Sequence, residues 1–381
     1  MSRVILSSLT YLCKGHSKSY IDSFFYNAKK NREYILFSYG KPENHNDFPV
    51  ISFDAEPDVL NYSSNQRLSS ERKIIKRFIK SFRFYLEMKR VVKHDDFIYF
   101  MDYEYISFLI CVLLFRKHRK LIWIHAPNLG AGFYKLYKGF FFKLIKHFSG
   151  EKTSFVVNGE KAKMDLLNIL GNVDVTTLQY PCDVELEPEC KDEAKVRLGF
   201  EGKTVFSCIG MVRKDKNYDV LMRIFSNSRF CNSNDAVLLI AGSLSGVEKE
   251  YVEGLAKRYN VRNVDFRFGY LTLSQMNSYF SATDIYLMAY GNNGSSQSGP
   301  LSMCRHYLVP AIVFDGGEIG YYVNKYKVGL ASTDEKNFTE NLDNMKVEEF
   351  LDNLMSAKSE LSWVSLSLKY EKLFERIIDG K

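Results

Sequence analysis

The chain has 381 residues, 46% of them apolar and 25% charged; this is the profile of a folded protein with more than one core. Its net charge of +7 is unevenly shared: residues 1–185 hold 28 Lys/Arg and 19 Asp/Glu, whereas residues 186–381 hold 24 and 26. These numbers argue against a disordered or low-complexity chain, and the basic first half predicts contact with an anionic surface.

In chain order, short apolar runs alternate with segments of helical period. Strands are expected at 4–9, 34–37, 97–100, 121–124 and 154–157, with helices at 19–28 and 71–92 among them. The apolar run at 105–115 has eleven residues, short of the roughly 20 that a spanning helix needs. The first ten residues lack the apolar core of a secretory signal. After Leu178 comes a stretch with Pro181, Pro188 and several acids but no periodicity, which sets the expected domain boundary at 185/186. Beyond it, strands are expected at 204–209, 237–241, 264–268, 285–289 and 311–314. Helices are expected at 219–225, 246–259, 274–281, 301–307 and 361–378, with Thr272 or Ser274 as an N-cap. This rhythm predicts an α/β fold with parallel sheets.

Seven cysteines, odd in number and without a Cys-x-x-Cys pair, argue for free thiols in a reducing compartment, and against a disulfide framework or a structural zinc site. Neither half carries G-x-G-x-x-G after its first strand, which argues against a dinucleotide oxidoreductase.

The chemistry begins where the strand at 204–209 ends. The chain turns at Gly210 and presents Arg213 and Lys216. Some eighty residues on, Ser298, Gly299, Pro300 and Leu301 open a helix. Two cations and a helix start with free backbone N–H groups suit a pyrophosphate, since the cations neutralise it and the N–H groups cradle its oxygens. A bland alternative is an exposed basic loop and an ordinary capped turn.

Six landmarks then stand in order: Gly210, Arg213, Lys216 and Asn217 as G-x-x-R-x-x-K-N; 238–242; Phe268, Gly269 and Tyr270; 282–290; 298–301; and 309–317. On these the second half resembles the donor-binding domain of GT-B glycosyltransferases, nearest to the family 4-like enzymes of polysaccharide assembly. The first half matches in outline, through Gly15 and His16, 124–127 and 180–183. The resemblance implies two facing Rossmann-like domains with the active site in the cleft between them. These are an acceptor domain at 1–185 and a donor domain at 186–360, with a final helix at 361–381 returning to the first. It implies a nucleotide-diphosphate sugar held by Gly15, Asn217, Tyr270, Ser298, Gly299, Pro300 and Leu301, with His125, Arg213 and Lys216 as catalytic residues. The acceptor implied is a saccharide or a lipid-linked saccharide, and no cofactor is required. Many retaining members carry two glutamates near the donor-domain helix; aligning Pro310 with the family proline puts Ser296 and Met303 in those places.

His125 follows the strand at 121–124 and precedes Pro127. At such a strand end it can hydrogen-bond the transferred sugar or act as a base, although a lone histidine is more often structural. An inverting reaction needs a base in the first domain, and Asp102, Glu104 and Asp22 are candidates. No paired acids after a donor-domain strand point to a metal, and none is expected. Two basic amphipathic helices, 71–92 and 133–148, place lysines and arginines opposite an aromatic face, which either is core or rests on an anionic membrane. The reading is of a cytoplasmic enzyme held peripherally at the inner face of a membrane, with no nucleic-acid partner because no recognition motif accompanies the basic helices. The alternatives are a catalytically silent nucleotide-sugar sensor or membrane-bound adaptor, and, less favoured, an epimerase, because the only donor-domain histidine, His306, is mid-helix.

Overall fold

The computed structural model describes residues 3–9, 16–28, 32–39, 49–53, 71–103, 105–125, 127, 133–181, 186–290 and 298–380. The chain divides into two compact units. The first is Met1–Gln179 with Trp363–Lys381, and the second is Tyr180–Ser362.

Unit 1 is built on seven parallel strands: β1 (Val4–Ser8), β2 (Tyr34–Tyr39), β3 (Val50–Phe53), β4 (Phe97–Phe100), β5 (Lys120–Trp123), β6 (Thr153–Val157) and β7 (Val175–Thr177). Their order is β3-β2-β1-β4-β5-β6-β7. The central strands are buried along their whole length, which is why they read as unbroken apolar runs rather than alternating ones. The helices are α1 (His16–Asn27), α2 (Glu71–Val91), α3 (Tyr105–Leu114), α4 (Phe133–Ser149) and α5 (Glu160–Leu170). The apolar run at 105–115 becomes α3, which packs against both α2 and α4 and buries Phe108, Cys111 and Val112. No helix among the described residues is long and apolar enough to cross a membrane.

Unit 2 has six parallel strands in the order β10-β9-β8-β11-β12-β13. They are β8 (Thr204–Ile209), β9 (Ala236–Gly242), β10 (Val264–Phe268), β11 (Ile285–Met288), β12 (Ala311–Phe314) and β13 (Gly329–Ser332). Around them lie α6 (Lys191–Leu198), α7 (Tyr218–Ser226), α8 (Lys249–Arg258), α9 (Leu273–Ala282), α10 (Gly299–His306), α11 (Gly317–Tyr326), α12 (Glu335–Asn344) and α13 (Leu351–Glu360). Thr272 caps α9: its hydroxyl accepts from the Gln275 N–H, while the Gln275 side chain accepts from the Thr272 N–H, a reciprocal capping box.

The chain then returns to unit 1 as α14 (Trp363–Phe374). This helix is fixed by buried hydroxyls rather than by apolar contact alone. The Tyr370 hydroxyl lies 2.9 Å from that of Tyr20 and 2.6 Å from that of Tyr99. Next to it, the Tyr34 hydroxyl donates to Glu371 at 2.7 Å. Burial raises the pKa of Tyr34, Tyr99 and Tyr370, so each stays a neutral O–H able to donate. A buried hydroxyl that loses its partner costs more than a bond at the surface. We therefore expect Tyr370→Phe to lower the unfolding free energy by about 1–3 kcal/mol, measured by urea denaturation. An unchanged midpoint would mean that the apolar packing of Phe24 and Phe374 alone seats the helix.

Candidate functional site

In unit 2 the strands after β8 go one way, to β9 and β10, and the later strands go the other, to β11, β12 and β13. The point between β8 and β11 is where an open α/β sheet offers a crevice beyond its strand ends. β8 stops at Ile209, whose N–H donates to the Tyr286 hydroxyl at 3.1 Å and whose carbonyl accepts from it at 2.5 Å. Gly210 (φ +104°) and Gly242 (φ +141°) then lie back to back. A Cβ on Gly242 would stand 2.2 Å from the Gly210 carbonyl oxygen, so neither strand end tolerates a side chain here.

A 3-10 turn at Lys214–Lys216 folds the chain back over the strand end. It puts the Lys216 Nζ 3.1 Å from the Ile209 carbonyl oxygen and 5.7 Å from the centre of the Tyr290 ring. Lys216 is only 3% exposed. Burial lowers its pKa, with Arg213 adding to the effect, against the pull of Cys208 and Asp215. Arg213 is half-exposed and donates to Asp215 at 2.8 Å. Asn217 takes the left-handed conformation (φ +52°) that joins the turn to α7.

α10 approaches from the other side. Ser298 is its extended N-cap, and the Ser298 side chain makes no cap bond to the helix N–H groups. Pro300 sits in the first turn. A Cβ on Gly210 would lie 3.2 Å from the Pro300 side chain and 3.6 Å from the Lys216 Nζ. The strand end, the cation and the open helix start therefore meet at Gly210. Leu301 is buried, and with Ser298 and Ser302 it faces Glu318, Ile319 and Tyr322 of α11 across a narrow cavity. A larger cleft of about 480 Å³ opens beside the turn, lined by Lys214, Asn217, Tyr218, Asp219, Glu248 and Tyr251, among others. Tyr270, just past β10, is 84% exposed.

In unit 1, His125 lies at the carboxyl end of β5, open to solvent on one edge. Its Nε2 is 2.7 Å from the Met101 carbonyl oxygen. Asp102 is engaged at the end of β1: one oxygen accepts from the Ser8 hydroxyl at 2.6 Å and the other from the Leu9 N–H at 2.5 Å. Asp22 lies on α1. Gly15, Glu104 and 295–297 lie outside the described residues, as do the side chains of His16, 71–77 and 133–138. Among the described residues no group of three or more His, Cys, Asp or Glu could hold a metal ion.

Residues 191–353 match the model of the family described as Glycosyl transferases group 1. The chain carries a group 1 glycosyltransferase domain on a GT-B fold. Similar solved structures include sucrose-phosphate synthase from Thermosynechococcus elongatus (13% identity, all of both chains, TM-score 0.72). A second is the trehalose-6-phosphate structure from E. coli bound with UDP-2-fluoro glucose (11%, 97% of this chain and 98% of that one, 0.72). A third is WaaG, a glycosyltransferase involved in lipopolysaccharide biosynthesis (12%, 99% and 100%, 0.64). At these identities the likeness shows the fold. No curated protein matches the chain by sequence.

The glycosyltransferase domain holds three site residues that the sequence did not single out. Tyr286 and Tyr290 were visible only as part of an apolar landmark. Glu318 directly follows a Gly-Gly pair at a helix start, which is the one signal that could have marked it. It is fully buried at the N-terminus of α11, where the helix dipole favours a carboxylate. Met303, at the place of a family glutamate, is half-buried against the unit 2 core.

The Arg213–Asp215 pair competes with any anion for the guanidinium. Exposed pairs of this kind are worth about 0–1 kcal/mol. Asp215→Asn should therefore tighten binding of a nucleoside diphosphate by up to about fivefold at low salt, measured by calorimetry. Weaker binding in this variant would show that Asp215 holds Arg213 in place for the ligand.

Proposed function

We propose that this glycosyltransferase moves a sugar from a nucleotide-diphosphate sugar to a saccharide or lipid-linked saccharide acceptor in cell-surface polysaccharide synthesis. We further propose that it works at the anionic inner face of a membrane. The observation that carries the first part is the meeting of Lys216, Pro300 and Gly210. A buried ammonium with a lowered pKa makes no direct ion pair among the described residues, and a diphosphate oxygen beside it would supply one. As the sugar departs, negative charge grows on the diphosphate. Lys216, Arg213 and the open N-terminus of α10 are then aimed at a charge larger in the transition state than in the ground state. Asn217, Ser298, Gly299, Pro300 and Leu301 would shape the diphosphate pocket, and the exposed Tyr270 offers a stacking face to the base. His125 would meet the sugar. The structure of E. coli trehalose-6-phosphate bound with UDP-2-fluoro glucose and that of Anabaena HepE with UDP and glucose support a nucleotide-sugar donor. WaaG, by its role in lipopolysaccharide biosynthesis, supports the polysaccharide setting.

UDP and GDP, titrated in the presence of EDTA, test this reading. We expect binding without added metal, and Arg213→Ala and Lys216→Ala should each weaken it by about 1.5–3 kcal/mol, the value of a charged hydrogen bond. Unchanged affinity in both variants would remove these residues from the site.

The membrane part rests on unit 1. On α2, Ile79 and Leu86 reach solvent beside the exposed Arg83 and Arg90, and on α4 Phe140 is 64% exposed near Lys143 and Lys146. Tyr85, Phe141 and Ile145 face the core, so the apolar face is wider than the core covers. Exposed apolar groups among cations suit a lipid headgroup layer. Each cation near such a surface contributes about 1 kcal/mol. Reversing Arg83, Lys143 and Lys146 to glutamate should then abolish co-sedimentation with phosphatidylglycerol liposomes while leaving UDP affinity intact. Sedimentation equal to the parent would place the membrane face elsewhere or remove it.

A further inference from the structure

His125 is held by two different contacts, and together they decide which of its nitrogens can work. The first is the hydrogen bond of Nε2 to the Met101 carbonyl oxygen at 2.7 Å. A carbonyl only accepts, so Nε2 carries the proton and Nδ1 keeps its lone pair. The second is the indole of Trp123, whose ring centre lies 4.0 Å from that of the imidazole at an interplanar angle of 31°. Trp123 is buried and is itself fixed. Its Nε1–H donates to the Asn158 Oδ1 at 2.6 Å, and the Asn158 Nδ2 donates to the Leu178 carbonyl at 3.1 Å. Tyr20 packs on the indole at 4.5 Å. The imidazole therefore cannot turn about its own axis without losing the Met101 bond or leaving the indole face.

We propose that Trp123 is the positioning residue of the site, and that His125 offers Nδ1, as a neutral acceptor, to a hydroxyl of the bound sugar or acceptor. This deepens the reading of His125 given above and rests on it. An imidazolium would lose the acceptor at Nδ1. Burial lowers the His125 pKa, against the Met101 carbonyl and the negative charge of Asp102. The ring is exposed, so solvent weakens this effect. Asp102 is the charged group that acts on the ring, and its carboxylate accepts from Ser8 and Leu9. The direction of the shift favours the neutral ring that the proposal needs.

Imidazole nitrogen spectra of the full-length protein, labelled at histidine and assigned with His125→Asn, test this directly and need no substrate. We expect Nε2 protonated and Nδ1 bare at pH 7, with a titration midpoint below 6.5. In Trp123→Leu the midpoint should move up towards 6.5 and both tautomers should become populated; Trp123→Phe should restore a single tautomer. A proton on Nδ1 in the parent overturns the assignment of the working nitrogen. A Trp123→Leu protein that folds with the parent's tautomer and midpoint overturns the positioning role. Neither result depends on turnover. If His125→Ala instead releases UDP from UDP-glucose at the parent's rate, the placing of His125 in the site fails while the tautomer result stands.

Discussion

The candidate site of unit 2 depends on two glycines that leave no room for a side chain. Gly210 and Gly242 end neighbouring strands with their backbones in contact, in conformations that a side chain would strain. Because they are flush, the chain after β8 can fold back at once. A methyl group on Gly242 would strike the Gly210 carbonyl, and one on Gly210 would crowd Pro300 and strain its backbone, so either would disturb the turn that brings Lys216 to the Ile209 carbonyl. The site is assembled by the absence of side chains at the point where three elements meet.

Around that point charge is arranged economically. Lys216 is buried with a carbonyl and an aromatic face as its direct contacts and Asp215 acting on it without a bond, so its desolvation is only partly offset. Arg213 keeps solvent and an acid beside it. The two cations thus differ in kind: one is preorganised at some cost in stability, and the other is recruited from the surface. Unit 1 shows the same division. Asp102 spends its carboxylate on the end of β1, whereas His125 keeps a lone pair.

Much of the fold could be read from the sequence, for physical reasons. Strands buried on both faces are continuous apolar runs, and those at 97–100, 204–209 and 311–314 coincide with β4, β8 and β12. The edge strand β10 was also read, through the alternation of Val264, Phe266 and Phe268 with Asp265 and Arg267. The three strands left unread, β3, β7 and β13, all lie at sheet edges. Edge strands are short and only half covered, so Val175, Thr176 and Thr177 or Gly329 to Ser332 carry too little apolar signal. The polar α6 and α12 were missed likewise, since their helical character lies in exposed residues. At the site, Arg213 and Lys216 are visible because cations after a strand stand out. That Arg213 is tied to Asp215 and Lys216 is buried depends on the turn at 214–216, which no periodicity reveals. On α2 and α4 the apolar stripe was legible, but not how much of it the core would leave uncovered at Ile79, Leu86 and Phe140.

The return of α14 to unit 1 has a consequence for how the molecule comes into being. A chain is synthesised from its N-terminus, and domains tend to fold as they emerge. Unit 2 is one continuous stretch, Tyr180–Ser362, whereas unit 1 lacks Trp363–Lys381 until unit 2 has been made. Through most of synthesis the hydroxyls of Tyr20, Tyr34 and Tyr99 have no Tyr370 or Glu371 to meet, and the apolar ring of Phe24 has no Phe374 to cover it. The first half to leave the ribosome is therefore the last to be finished, and it waits with an unclosed aromatic face while the second half completes itself.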